Sequence, residues 1–220
     1  MPKISGKKQQ ERRDHILEAA EACFARAGFH RTTMNDICRE ARVSAGALYL
    51  YFDSKEALIE GIVARDRDEF LASFAAIAGD GDLLAGLAAL MDECVVNRPP
   101  HKIALFLEIG LEATRNPAVA KTLTHCDAII SASLAELLER AKAAGQINPS
   151  VPVSEAVNAM SVIADGLFWR SGTMPGFDVA AAGQTVLLMT AALLRPQPTS
   201  DVLNTAGHAA SSGALKERLQ

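Results

Sequence analysis

An all-α fold is the first reading of this sequence. Leu and Ala dominate an apolar fraction of 49%, while aromatic residues make up only 5%. That mixture is rich in strong helix formers and poor in the residues strands prefer. Strand-like alternation over four or more residues is hard to find. Apolar residues recur instead at spacings of three and four, in segments closed by glycine, proline and capping residues. With 220 residues the chain can bury a sizeable core and build one or two domains.

The helices follow in order. The start, Met1-Pro-Lys-Ile-Ser-Gly-Lys-Lys, is polar and basic and reads as flexible to about residue 9. Ile16, Leu17, Ala20, Cys23, Phe24 and Ala27 then mark the buried stripe of a first helix, and Gly28 stops it as a C-terminal glycine. A second helix opens at Thr33, with Asp36 three residues on as the answering half of a capping box. Its apolar face is Ile37, Cys38 and Ala41, and it is short, because Ser44 is the N-cap of the next element. Val43 tucks inward between the two. The third helix, 45–52, has Leu48 and Phe52 as its inward face, and Ser54 or Asp53 caps a fourth that runs to about Ala78. Gly79-Asp-Gly-Asp breaks that helix. A fifth spans 83–96, ending before Asn97-Arg-Pro-Pro. The sixth, 101–115, is apolar around most of its circumference and reads as central. A long seventh helix runs from Pro117 to about Ala144, closed by Gly145, and two more cover 154–171 and 177–194. Beyond Arg195 the Pro-, Ser- and Thr-rich sequence reads as a disordered tail.

Charge is unevenly placed. The chain carries a net charge of −4, yet residues 1–52 hold nine Lys/Arg against six Asp/Glu and the remainder thirteen against twenty. A small basic unit on an acidic body is the distribution of a nucleic-acid reader with a regulatory domain. The four cysteines, Cys23, Cys38, Cys94 and Cys126, include no CxxC pair, and no cleavable signal is visible, which points to reduced thiols in the cytoplasm. The most apolar run, Val179–Leu194, falls short of the roughly 20 residues a membrane span needs. The histidines (His15, His30, His101, His125, His208) form no i, i+4 pair or HExxH, and no G-x-S-x-G, Walker loop or GxGxxG occurs. Neither an enzyme nor a metal or cofactor site is expected.

A short capped helix, a three-residue turn and a second short helix on an amphipathic support make a helix-turn-helix, whose second helix lies in the major groove. Small residues at Ala45 and Gly46 let the helix N-terminus approach a phosphate, where free N–H groups attract it. The run from Gly28-Phe-His-Arg-Thr-Thr through Asp36-Ile, Ala41-Arg-Val-Ser-Ala-Gly-Ala-Leu-Tyr and Tyr51-Phe-Asp-Ser-Lys-Glu-Ala-Leu58 resembles the DNA-binding domain of TetR/AcrR-family regulators. The resemblance covers about residues 10–60. It implies a head at 1–54, a regulatory and dimerisation domain at 55–195 and a tail at 196–220. Arg42 departs from the pattern, standing where the family usually has glycine. Ala45 departs too, standing where many members carry Lys, Arg or Pro.

By this resemblance Thr33 touches phosphate, and Arg42 reshapes the turn or adds a phosphate contact. Ser44, Ala45, Gly46, Tyr49 and Tyr51 line the recognition surface, and Lys55 holds the flanking backbone. The two last helices would form a homodimer interface, so that two heads read a palindromic operator in double-stranded DNA. A small-molecule effector pocket would lie in the body. Its candidate lining is Phe70, Phe74, Met91, Phe106, Ile109, Ile129, Phe168 and Trp169, each equally at home in an ordinary core. Glu108 and Glu112 share one face of the sixth helix and would favour a cationic or hydrogen-bond-donating ligand, unless Arg115 neutralises Glu112. His125, Asp165 and Arg170 are further candidates. The function implied is a repressor released by its ligand, the alternative being a ligand-independent regulator or an activator of the same fold.

Overall fold

The structure, a computed structural model, describes residues 6–80 and 82–197. Among these residues the regular structure is helical: α1 (Gly6–Ala27), α2 (Met34–Glu40), α3 (Ala45–Tyr49), α4 (Lys55–Asp80), α5 (Leu83–Met91), α6 (Pro100–Ala113), α7 (Pro117–Ala143), α8 (Val153–Thr173) and α9 (Val179–Leu194). α5 continues without a break into a π-helical turn, Asp92–Val96.

Local chemistry sets the ends of the head helices. Gly28 adopts φ +80° after closing α1 with a bond from its N–H to the Phe24 carbonyl (2.8 Å), a left-handed geometry that costs glycine nothing. The capping box at α2 is complete. The Asp36 amide donates to Thr33 Oγ1 (3.2 Å) and the Thr33 amide donates to Asp36 Oδ2 (2.9 Å). Ser44 Oγ accepts from the Ala47 amide (3.2 Å) at the start of α3. Between these caps Arg42 sits at φ +51°, so the turn needs the left-handed conformation that a glycine would supply. α3 is shorter than the sequence spacing predicts: the amides of Tyr51 and Phe52 both return to the Leu48 carbonyl, closing the chain into a turn.

Two further limits differ from the sequence reading. α1 begins at Gly6, because the polar run Lys7–Gln10 is exposed and compatible with helix; residues 1–5 lie outside the described residues. At the other end, the Gln197 amide donates to the Gln146 carbonyl (2.7 Å) and Pro196 bridges to Ile147. The first two residues of the expected tail therefore pair with the α7–α8 connection, and 198–220 lie outside the described residues.

The boundary at 54/55 separates helices but not cores. Ile16, Leu17, Phe24, Ile37, Leu48 and Phe52 of the head pack in one cluster with Leu58, Ile59 and Ile62 of α4 and with Leu105 and Ile109 of α6. Three helices, two of them only a turn or two long, bury too little surface alone, so α4 and α6 complete their core. A second cluster closes the far end of the body around Phe74, Leu87, Leu138, Ala156 and Leu194. A small third one joins Val95, Ile103, Leu167 and Phe168. α6 is central, packed on α1, α7 and α8, although Leu111 on its outer side is exposed.

Candidate DNA-reading surface and ligand cavity

The head presents the start and outer side of α3 to solvent. Ser44, Ala45 and Gly46 are exposed at its N-terminus, and a Cβ built on Gly46 would meet nothing within 4 Å. Tyr49 is 53% exposed and Leu50, absent from the sequence candidates, 79%. Nothing among the described residues explains two large apolar side chains left in water beside a helix whose other face, Leu48, is fully buried. Thr33 and Arg42 are exposed on the same helix-turn-helix unit. The Thr33 hydroxyl is already engaged with Asp36 as donor (2.6 Å) and as acceptor. Those donors from Thr33, with Arg39 beside them, hold the Asp36 carboxyl down to about 2.

Tyr51 and Lys55 sit differently. Tyr51 is half-buried against the head core. The Lys55 ammonium donates to the Phe29 carbonyl and lies 4.2 Å above the Phe29 ring. Lys55 therefore supports the α1–α2 loop with one of its three donors, leaving two for any phosphate.

Glu108 and Glu112 do share one face of α6, but that face looks at the head and not into a cavity. Glu108 Oε1 accepts from the Phe29 amide (2.5 Å). Glu112, 2% exposed, meets His30 Nε2 at 2.9 Å and Arg115 Nε at 3.1 Å. The expectation that these carboxylates select a cationic ligand is therefore withdrawn. They pin the α1–α2 loop to the body, a long-range pairing that helical periodicity on α6 could not reveal.

A cavity of about 660 Å³ lies within the body, within the range of drug-sized ligand sites. Phe70, Phe74, Met91, Phe106, Ile109 and Phe168 line it, as does Asp165. His125 and Ile129 do not, while their neighbours Thr124, Cys126 and Ile130 do. The long α7 is half-exposed or exposed along this stretch, so its apolar pattern marks the cavity side only to within one residue. The π turn after α5 carries Cys94 and Val95 to the wall. Burial pushes the Cys94 thiol up to about 11, so it stays protonated. Burial, then the charge of Asp127, raises the Asp165 carboxyl.

The polar lining that sequence reasoning missed is a set of ion pairs. Asp66 of α4 accepts from Arg98 Nη2 (2.8 Å) and Lys102 Nζ (3.0 Å), and all three residues line the cavity. Lys102 also donates to Glu21 Oε1 (2.6 Å), an oxygen of a buried α1 residue that Arg65 of α4 contacts as well. The chain of charges runs from the cavity wall into the head. Among the described residues no group of His, Cys, Asp and Glu could hold a metal ion.

Trp169 and Arg170 lie outside this cavity. Trp169 (59% exposed) shares the outer side of α8 with Val162 (63%), and α9 exposes Leu188 (73%) and Met189 (54%). Arg170 stacks on Phe177, 5.1 Å from the ring centroid. Large apolar residues left in water on two neighbouring helices are the mark of a protein–protein face. Among the described residues no helix is long and apolar enough to cross a membrane.

Comparison with known proteins agrees with this architecture. The family of bacterial regulatory proteins designated tetR matches residues 16–62. The HTH-type transcriptional regulator UidR of Escherichia coli (strain K12) is 34% identical over 146 residues, 64% of this chain and 72% of that protein. The HTH-type transcriptional repressor Rv1474c of Mycobacterium tuberculosis is 27% identical over 170 residues, covering 77% of this chain and 87% of its own. Among solved structures, Salmonella enterica GusR superposes with a TM-score of 0.71 at 32% identity, over 84% of this chain and 96% of that chain.

Proposed function

The chain belongs to the TetR family of transcriptional regulators, and on that premise we propose that it is a cytoplasmic repressor that grips a palindromic operator as a homodimer and lets go when a small molecule fills the body cavity. The observation that carries the reading is the exposed start of α3. It has an exposed helix N-terminus, a glycine with open space before it, and Tyr49 and Leu50 held in water on a helix anchored by Leu48. Backbone N–H groups at such an end take a phosphate, and Tyr49 reaches the groove or the sugar-phosphate edge. Thr33, Arg42, Ser44, Ala45 and Tyr51 flank the contact, and Lys55 adds a charge at the start of α4. Residues 1–54 form the reading head on this view, and 55–195 the regulatory and dimerisation body.

The face carrying Val162, Trp169, Leu188 and Met189 supports pairing of α8 and α9 with their two-fold mates. Two heads then address half-sites one helical turn apart. α4 is the mechanical link. Its first turns are built into the head core through Leu58 and Ile62, and its later turns present Asp66, Phe70 and Phe74 to the cavity. A ligand that fits a body conformation with the heads out of register lowers operator affinity, and DNA lowers ligand affinity by the same factor. The repressor relative named above supports the sign of regulation.

The test is selection of bound duplexes from a random-sequence pool by the full chain. An inverted repeat is expected, and Tyr49→Ala should weaken binding to it while the dimer persists. Failure to enrich any sequence, or an unchanged Tyr49→Ala variant, would count against the assigned surface.

A further inference from the structure

We propose that the end of the cavity formed by Arg98, Lys102 and Asp66 is a carboxylate subsite, so that the effector is an amphiphilic organic anion whose head group competes for Lys102 and thereby loosens α1. This rests on the reading of the body as an effector domain and deepens it. Three observations carry it. The half-buried network of Glu21, Arg65, Asp66, Arg98 and Lys102 holds three cations against two carboxylates, an excess of one positive charge. Arg98, only 15% exposed in its side chain, uses one prong of its guanidinium fork on Asp66, while its buried Nε has no hydrogen-bond partner among the described residues. Orphaned buried donors are rare and ask for an acceptor, and a half-used guanidinium fork fits a second carboxylate oxygen. Finally, most of the remaining lining is apolar, with Phe70, Phe74, Met91 and Phe168 among it. An anion with a hydrophobic body matches both parts.

The other charged groups on the walls fit the same orientation. Asp127 and Asp165 place negative charge on the α7 and α8 sides and repel an anionic head toward the α4–α6 side. Arg67 is taken by its neighbour Asp68 (2.6 Å). The subsite also has a route to the head. Lys102 divides its donors between Asp66 and Glu21, so an incoming carboxylate that draws Lys102 away leaves Glu21 of α1 with Arg65 alone. One of the ties between head and α6 is then cut at the moment of binding.

The experiment uses the full chain with matched pairs of probes, decanoate against decanamide and 4-phenylbutyrate against 4-phenylbutyramide, by isothermal titration. At least one acid should bind about tenfold or more tightly than its amide, the scale of one charge-assisted hydrogen bond. Arg98→Gln should abolish that difference and Arg98→Lys should keep part of it. If Arg98→Gln fails to fold, the acid–amide comparison on the unaltered chain still decides. Equal binding of acid and amide in both pairs overturns the proposal, as does a preference for the acid that survives in Arg98→Gln. The relay is read from operator affinity with and without the acid. That ratio should fall toward one in Glu21→Gln, and an unchanged ratio overturns the route through Lys102. A neutral or cationic compound that releases operator equally from Arg98→Gln and the unaltered chain would overturn the subsite yet leave effector release standing. Acids that bind through Arg98 without moving the operator would do the reverse.

Discussion

Replacing Gly46 by alanine should separate what the fold needs from what DNA needs. Gly46 occupies the first turn of α3 with ordinary helical geometry, and an added Cβ would meet nothing within 4 Å. The folded head therefore loses nothing by the change and gains the helix propensity of alanine, about 0.5 kcal/mol at the low end of the Gly–Ala difference, because the helix is short. For a chain of this size that raises Tm by roughly 1–2 °C, using about 2–4 °C per kcal/mol. Operator binding should move the opposite way. On the proposed docking the new methyl would stand where a phosphate approaches the first N–H groups of α3, and losing one hydrogen bond to a charged group costs about 1.5–3 kcal/mol. That is about 10- to 150-fold per head, and both heads of the proposed dimer would bear it. Scanning calorimetry and fluorescence anisotropy on the selected duplex read the two effects. A raised Tm with unchanged affinity would refute the placement of the α3 N-terminus against the backbone. A lowered Tm would show that the glycine serves the fold.

Other outcomes follow from the same geometry. Arg42→Gly should stabilise the chain by up to about 1 kcal/mol in urea titration, since a non-glycine residue at positive φ costs roughly 1–2 kcal/mol, partly offset by the entropy of glycine. If Arg42 also holds a phosphate, the salt dependence of operator binding should flatten by about one unit. A destabilised variant would show that the Arg42 side chain, not the turn, matters. Asp36 gives a pH signature. Its carboxyl is held down to about 2, so its contribution to stability is complete above the ordinary carboxylate value, near ~3.9, and is lost as pH falls from there toward about 2. Thr33→Val removes the hydroxyl donor. It should raise the Asp36 titration seen by NMR and shift acid unfolding of the head to higher pH, and an unmoved titration would contradict the capping account. Leu188→Glu places a charge on the exposed α9 face and should convert dimer to monomer in sedimentation velocity, weakening operator binding with it. A dimer that survives would move the interface elsewhere.

Much of the head was legible because its determinants are local. The capping box of Thr33 and Asp36, the Ser44 cap and the Gly28 stop each act within three or four residues, and the structure places each as the spacing implied. The departure at Arg42 was legible as well, although only the backbone shows that the position is left-handed. The body was legible to the level of helices, but the direction of particular side chains was not. Glu108 and Glu112 were rightly placed on one face of α6, yet that face meets Phe29 and His30, far off in sequence. Trp169 and Phe168 are neighbours in the chain, one in solvent and one on the cavity wall, and no hydrophobicity pattern on α8 could separate them.

What the sequence determined by itself, then, is the all-α architecture and the helix ends set by local caps, since those depend on backbone geometry and on bonds within a turn. Which side chains meet across helices was decided only by tertiary packing. Glu21, Asp66, Arg98 and Lys102 lie in three helices and a loop and carry no motif. They become a network because the packing of α1, α4 and α6 leaves their charges too little water to remain apart.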